Sequence, residues 1–216
     1  MFFASCIGEV TACFPLVGVA LPLFIGYLLG SMLFAVPVAK RWGVDIFKVG
    51  SGNPGATNVK RAVGKLPGNI VFACDALKGF FASLWPVFVF EGDAAVYAQL
   101  AGFAGALLGH SFSCLYRFKG GKAVSTTIGG LLAIMPLAIL PALLVWLAVF
   151  YLSGYVSLAS LALGLSLPLA AWLLGEGTAK TVLGAVVCVL LFVRHRSNIV
   201  RLCHGTESRF ERKKKS

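Results

Sequence analysis

From residue 123 to residue 175 the chain carries no charged side chain, and this run constrains the fold more than any other feature. A bilayer core of about 30 Å needs about 20 apolar residues per crossing helix, so 123–175 is long enough for several crossings and the uncharged stretch 10–39 for another. The whole chain of 216 residues is 58% hydrophobic and 12% charged, far more apolar than a water-soluble domain. We read it as an all-α integral membrane protein, a single membrane-embedded domain over 1–216 with a basic tail at 208–216.

The formal charge is +11. In a soluble protein that excess would suggest nucleic acid as a partner; here its placement argues against one. All basic residues except Lys78 and Lys180 lie in or beside 40–48, 60–65, 117–122 and 194–215, as expected of cytoplasmic loops. A first span over 14–39 therefore ends inside at Lys40-Arg41. A second, 67–90, runs out to the acidic turn Glu91-Gly92-Asp93, and a third, 94–112, returns to Arg117, Lys119 and Lys122. Breaks near Pro136–Pro141, at Ser153-Gly154 and at Gly175–Thr178 divide the remainder. One long helix over 124–152 would leave the Arg-rich C-terminal segment outside, whereas two short ones keep it inside. The expectation is seven transmembrane helices, N-terminus out and C-terminus in, with the polar motif loops cytoplasmic. Residues 1–25 lack the basic flank of a secretory signal and are read as part of the first span, after a lead-in over 1–13.

Gly26-x-x-x-Gly30 and Gly105-x-x-x-Gly109 fit close helix packing in lipid. Asp75 and Lys78 share a helix face in the second span; mutual neutralisation and a role in a site both remain open. Six cysteines, with no C-x-x-C pair, read as small core residues, and no metal site or cofactor is expected.

Three polar segments could carry chemistry. In the first, Gly50 to Arg61, Asn53 is suited to cap a helix with Pro54 at its first position, and Thr57, Asn58 and Arg61 would share a side and offer donors to a phosphate. The segment satisfies G-x-G-x-x-G. However, it follows a membrane helix and not a strand, and it lacks the Lys-Ser/Thr of a P-loop, so both nucleotide readings fail. The second segment runs from His110 to Thr127. Its Lys119-Gly120-Gly121-Lys122 suggests a backbone nest for an anion or, more plainly, a basic loop with a glycine turn. The third, Arg194 to Glu207, places His195 and Asn198 on one helical face and equally suits contact with anionic lipid headgroups.

GSGNPGATNVKR at 50–61, HSFSCLYRFKGGKAVST at 110–126 and RHRSNIVRLCHGTE at 194–207 resemble, in order and spacing, the three motifs of the acyl-phosphate-dependent glycerol-3-phosphate acyltransferases of bacterial phospholipid synthesis. The resemblance covers almost the whole chain. It implies a multi-pass protein of the bacterial inner membrane whose active site faces the cytoplasm. The implied reaction moves a fatty acyl group from acyl phosphate to the 1-hydroxyl of glycerol 3-phosphate, giving lysophosphatidic acid and inorganic phosphate. Membrane lipids surround the enzyme, and neither acyl-CoA nor acyl carrier protein is the direct donor.

By the same resemblance Ser51, Arg61, His195 and Asn198 are catalytic, and Lys119, Gly120, Gly121 and Lys122 serve glycerol 3-phosphate. Asn53, Thr57, Asn58 and His110 are grouped with them as substrate-binding, together with Ser157 from the run Tyr155-Val156-Ser157-Leu158. Glu207 is expected to be structural. The sequence departs from the family at Ser113, where proline is common, and at Ala123, where glycine is common. Basic groups would hold both phosphates, and His195 or a substrate phosphate would accept the hydroxyl proton. The alternative is a membrane transporter of a phosphorylated solute.

Overall fold

Apolar runs punctuated by proline and glycine fold as helices that end where those residues stand. The structure is a computed structural model and describes residues 15–210; the lead-in over 1–13 and most of the basic tail lie outside them. All regular structure among these residues is helical, in two compact units, 1–134 and 135–216.

In the first unit, α1 spans Pro15–Ser31, α2 Ala35–Arg41, α3 Ala56–Ala62, α4 Lys65–Leu84, α5 Gly92–Ser111 and α6 Val124–Ile134. The expected first span is thus broken at 32–34. Pro37 has no N–H for Leu33 to accept, so the helix is interrupted just before it. The exposed end of α1 finds other partners: Lys78 Nζ donates to the carbonyls of Gly30 (2.9 Å) and Met32 (2.7 Å), and Ser113 Oγ donates to that of Ser31 (2.6 Å). A helix end in an apolar setting needs such partners.

The two small-residue repeats meet each other. A methyl group at Gly26 or Gly30 would run into the backbone of Gly102 or Ala106, and one at Gly105 or Gly109 into that of Leu23 or Tyr27, so α1 and α5 pack backbone to backbone. Gly79 and Gly129 bring α4 and α6 equally close. Beneath the first motif, Ala35, Ala39, Ile46, Val59 and Val71 form a buried cluster that fixes α3 between α2 and α4.

In the second unit, α7 spans Pro136–Ser153, α8 Val156–Leu173, α9 Thr178–Arg194 and α10 Arg196–Cys203. The chain over 124–153 is therefore two helices, parted at Met135. Gly184 of α9 lies close against Pro168 of α8, and Gly154, at φ +76°, terminates α7. After α10 the chain folds back: Arg209 Nε donates to Ser153 O (2.8 Å) and Phe210 N to Gly154 O (3.0 Å).

Among the described residues four helical stretches, 17–41, 65–88, 136–153 and 156–173, are long and apolar enough to cross a bilayer; α9 with α10, bent by 64°, makes a fifth if counted as one span. Fewer than the expected seven meet that requirement among these residues. The 11 residues of α6 reach about 16 Å, roughly half the hydrocarbon core. In α5, Asp93, Gln99 and many small residues dilute the apolar character.

Candidate active site

The first unit holds two of the three polar segments. In the first, Gly50 and Gly52 adopt left-handed backbone at φ +56° and +65°, which only glycine takes without strain. The loop they form wraps around the buried Asn58, whose Nδ2 donates to Ile46 O (3.2 Å) and Val49 O (3.0 Å) while Oδ1 accepts from Ser51 N (3.2 Å). Asn58 thus spends its amide on the loop that carries Ser51. Asn53 does not cap the helix either. Gly55 N turns back onto Asn53 O (2.9 Å), which keeps Pro54 out of helical register, and α3 starts two residues later than expected with Gly55 at its N-cap. Ser51 and Arg61 are exposed, Asn53 and Thr57 half-buried.

The second segment is bound to the first. Aromatic rings of Phe47 and Tyr116 stand 6.2 Å apart, and a methyl on Gly121 would lie 3.2 Å from Pro54 O. Gly120 and Gly121 are required for closeness and not for turning. A side chain at Gly120 would collide with the backbone of His110 and Ser111, and one at Gly121 with the His110 ring. The turning falls to Arg117, Phe118 and Ala123, all non-glycine residues at φ between +53° and +60°. Gly121 N donates to His110 O (2.9 Å), and His110 is buried, with Nδ1 3.3 Å from Thr126 Oγ1 and 3.7 Å from Asp75 Oδ1. Asp75 pairs with Lys78 at 2.8 Å. Lys119 is exposed and Lys122 half-buried.

Both departures from the family pattern have a structural counterpart. Ala123, buried at φ +60°, occupies a conformation that costs a non-glycine residue about 1–2 kcal/mol. Ser113, at φ −68°, has the backbone a proline would have and uses its hydroxyl to close the end of α1.

The second unit holds the third segment. His195, at the junction of α9 and α10, is buried, and its Nδ1 lies 2.8 Å from Leu191 O. A carbonyl only accepts, so Nδ1 carries the proton and Nε2 of the neutral ring is an acceptor. Asn198 Nδ2 and Ser157 Oγ both donate to Glu207 Oε1 (2.7 and 2.8 Å), and Arg201 Nε donates to Oε2 (2.7 Å). Burial pushes the Glu207 carboxyl up, but hydrogen bonds from Asn198, Arg201 and Ser157 and the Arg201 charge outweigh it and hold it below the usual carboxylate range. Glu207 is therefore the hub that gathers Asn198 and Ser157. Its sequence signal was its place in the third motif; nothing local marks its partners.

Among the described residues no cluster of His, Cys, Asp and Glu is suited to a metal ion.

The chain matches the family described as glycerol-3-phosphate acyltransferase over residues 20–205. A glycerol-3-phosphate acyltransferase from Aquifex aeolicus is 43% identical over 188 residues, covering 87% of this chain and 97% of the relative. One from Carboxydothermus hydrogenoformans is 40% identical over 204 residues, covering 91% and 98%. The crystal structure of PlsY, an integral membrane glycerol 3-phosphate acyltransferase, in its glycerol 3-phosphate form superposes with a TM-score of 0.81 at 40% identity, covering 89% of this chain and 96% of that one. With this agreement in sequence and helical architecture, the chain belongs to the glycerol-3-phosphate acyltransferase family.

Proposed function

We propose that the protein transfers a fatty acyl group from acyl phosphate to the 1-hydroxyl of glycerol 3-phosphate, giving lysophosphatidic acid and inorganic phosphate. The observation that carries this reading is the 40% identity, over 89% of the chain, to an acyltransferase solved in glycerol 3-phosphate and lysophosphatidic acid forms.

The groups present suit the chemistry. Two phosphorylated substrates need cations and N–H donors, and Arg61, Lys119 and Lys122, with the backbone of Gly120 and Gly121, are assigned that work; Ser51, Asn53 and Thr57 add polar contacts from the first motif. Asn58 acts by holding Ser51. In the reaction the 1-hydroxyl oxygen forms the ester bond to the acyl carbon, the carbon–oxygen bond to phosphate breaks, and phosphate leaves with its electron pair. The hydroxyl proton passes to His195 Nε2 or to a substrate phosphate. Because the donor is already activated, no covalent enzyme intermediate is required. Asn198 and Ser157, held by Glu207, orient the polar face beside His195.

The full topology we propose is seven membrane helices, N-terminus out and C-terminus in, in a bacterial inner membrane, with the three motifs on the cytoplasmic side. Support comes from the confinement of nearly all basic residues to the motif-bearing ends of the apolar runs.

The test is phosphate release by protein purified into lipid, with palmitoyl phosphate and with or without glycerol 3-phosphate. Release should require the acceptor and vanish in Arg61→Ala, and palmitoyl-CoA as donor should yield neither lysophosphatidic acid nor free CoA thiol. Intact palmitoyl phosphate alongside glycerol 3-phosphate uptake into vesicles would refute acyl transfer and establish a transporter.

A further inference from the structure

We propose that Asp75 is a positioning residue for glycerol 3-phosphate, acting through His110 on the Gly120-Gly121 segment; this rests on the acyl-transfer reading above. Asp75 lies outside all three motifs, in the middle of α4, and is 1% exposed. Its partner Lys78 is already engaged by two carbonyls at the end of α1. That ammonium would be satisfied structurally by the carbonyls and one counter-ion, and pairing alone sets no requirement for what else the paired oxygen faces. Oδ1, the oxygen that meets Lys78 Nζ at 2.8 Å, also faces His110: it stands 3.7 Å from Nδ1, with Thr126 Oγ1 3.3 Å from the same nitrogen.

At 3.7 Å, beyond hydrogen-bond reach, the carboxylate acts on the ring through its charge: it favours the proton on Nδ1 and the orientation that keeps Nδ1 toward Asp75 and Thr126. The opposite edge of the ring, at Nε2, is packed against Gly121 so closely that a methyl there would overlap it. The backbone of His110 meanwhile accepts from Gly121 N at 2.9 Å. The ring and the main chain of one residue thus set the height and direction of the glycine segment, and Asp75 sets the ring. Since that segment carries Lys119 and Lys122 at its ends, a tilt of the ring would displace the phosphate donors while leaving those of the first motif in place.

The experiment measures turnover and equilibrium binding of glycerol 3-phosphate for wild type, Asp75→Asn, His110→Gln, the two together, and Asp75→Asn/Lys78→Met. Asp75→Asn should raise KM for glycerol 3-phosphate about tenfold, within the range of coupled contacts, with KM for acyl phosphate unchanged. The rise should persist in the charge-free Asp75→Asn/Lys78→Met protein, and Asp75→Asn should add nothing to His110→Gln. Return of KM to the wild-type value in the charge-free protein would overturn the proposal, because the pair would then serve only to neutralise itself. Should that variant fail to fold, multiplicative effects of Asp75→Asn and His110→Gln overturn it equally. Wild-type protein that binds glycerol 3-phosphate without turnover refutes the acyl-transfer reading instead, and the binding constants of the same variants then decide the role of Asp75.

Discussion

Glu207 is the residue whose removal has the most legible consequence. Its side chain is 5% exposed and accepts from Ser157, Asn198 and Arg201, the last 38% exposed. A hydrogen bond to a charged group contributes about 1.5–3 kcal/mol, and solvent screening at Arg201 argues for the lower end. Glu207→Gln keeps an oxygen for Ser157 and Asn198 but turns an N–H toward the Arg201 donor, so it should cost about 2 kcal/mol. Glu207→Ala strands the buried Asn198 and Ser157 donors as well and should cost about 4 kcal/mol. These free energies hold the segment that folds back over the end of α7, where Phe210 N donates to Gly154 O. At about 1.4 kcal/mol per decade, exchange of the Phe210 amide should accelerate roughly 30-fold in Glu207→Gln and about 1,000-fold in Glu207→Ala. Hydrogen exchange followed by mass spectrometry on detergent-solubilised protein reads this directly.

The pH dependence follows from the depressed pKa of Glu207. A carboxyl lowered on folding stabilises fully above its unfolded value of about 4.3, and that stabilisation is lost as pH falls through the folded value. Phe210 protection in the wild type, corrected for intrinsic rates, should therefore stay flat down to about pH 5 and fall only in acid, and Glu207→Gln should lack the acid limb. Exchange in Glu207→Ala within twofold of wild type would show that the three hydrogen bonds do not hold the segment, and the reasoning would fail.

Other substitutions test other contacts. Asn58→Asp replaces an N–H donor by an oxygen facing the Ile46 and Val49 carbonyls; it should destabilise by about 3 kcal/mol and abolish turnover, as thermal melting and phosphate release would show. Gly120→Ala meets rigid backbone whereas Gly121→Ala meets a side-chain ring, so steady-state kinetics should give the larger rise in KM for glycerol 3-phosphate with Gly120→Ala. Ala123→Gly relieves left-handed backbone and should stabilise by about 0.5–1 kcal/mol after the added flexibility of the unfolded chain is counted, measured as a higher melting temperature in detergent.

Much of the architecture follows from local rules that any reader of the sequence can apply. Apolar length dictates membrane helices, proline and glycine dictate the breaks at Met135, Gly154 and Gly175–Gly177, and Gly26, Gly30, Gly105 and Gly109 declare faces made for close contact. The three polar segments were equally legible, because Gly-rich and basic residues have no reason to sit beside apolar runs unless they meet water, lipid headgroups or a phosphorylated ligand. What the residues do within those segments was not. Asn58 read as a ligand donor, and what the sequence did not show is the loop wound around it, since a side chain on a helix face says nothing of the carbonyls brought to it from 9 and 12 residues earlier. Lys78 closes the end of α1 from 46 and 48 residues away, Ser113 from 82, and Glu207 reaches Ser157 across 50. Hydrophobic length and backbone preference are properties of neighbouring residues and are written along the chain. The satisfaction of a buried polar group depends on which distant backbone arrives beside it, and that is decided only when the helices pack.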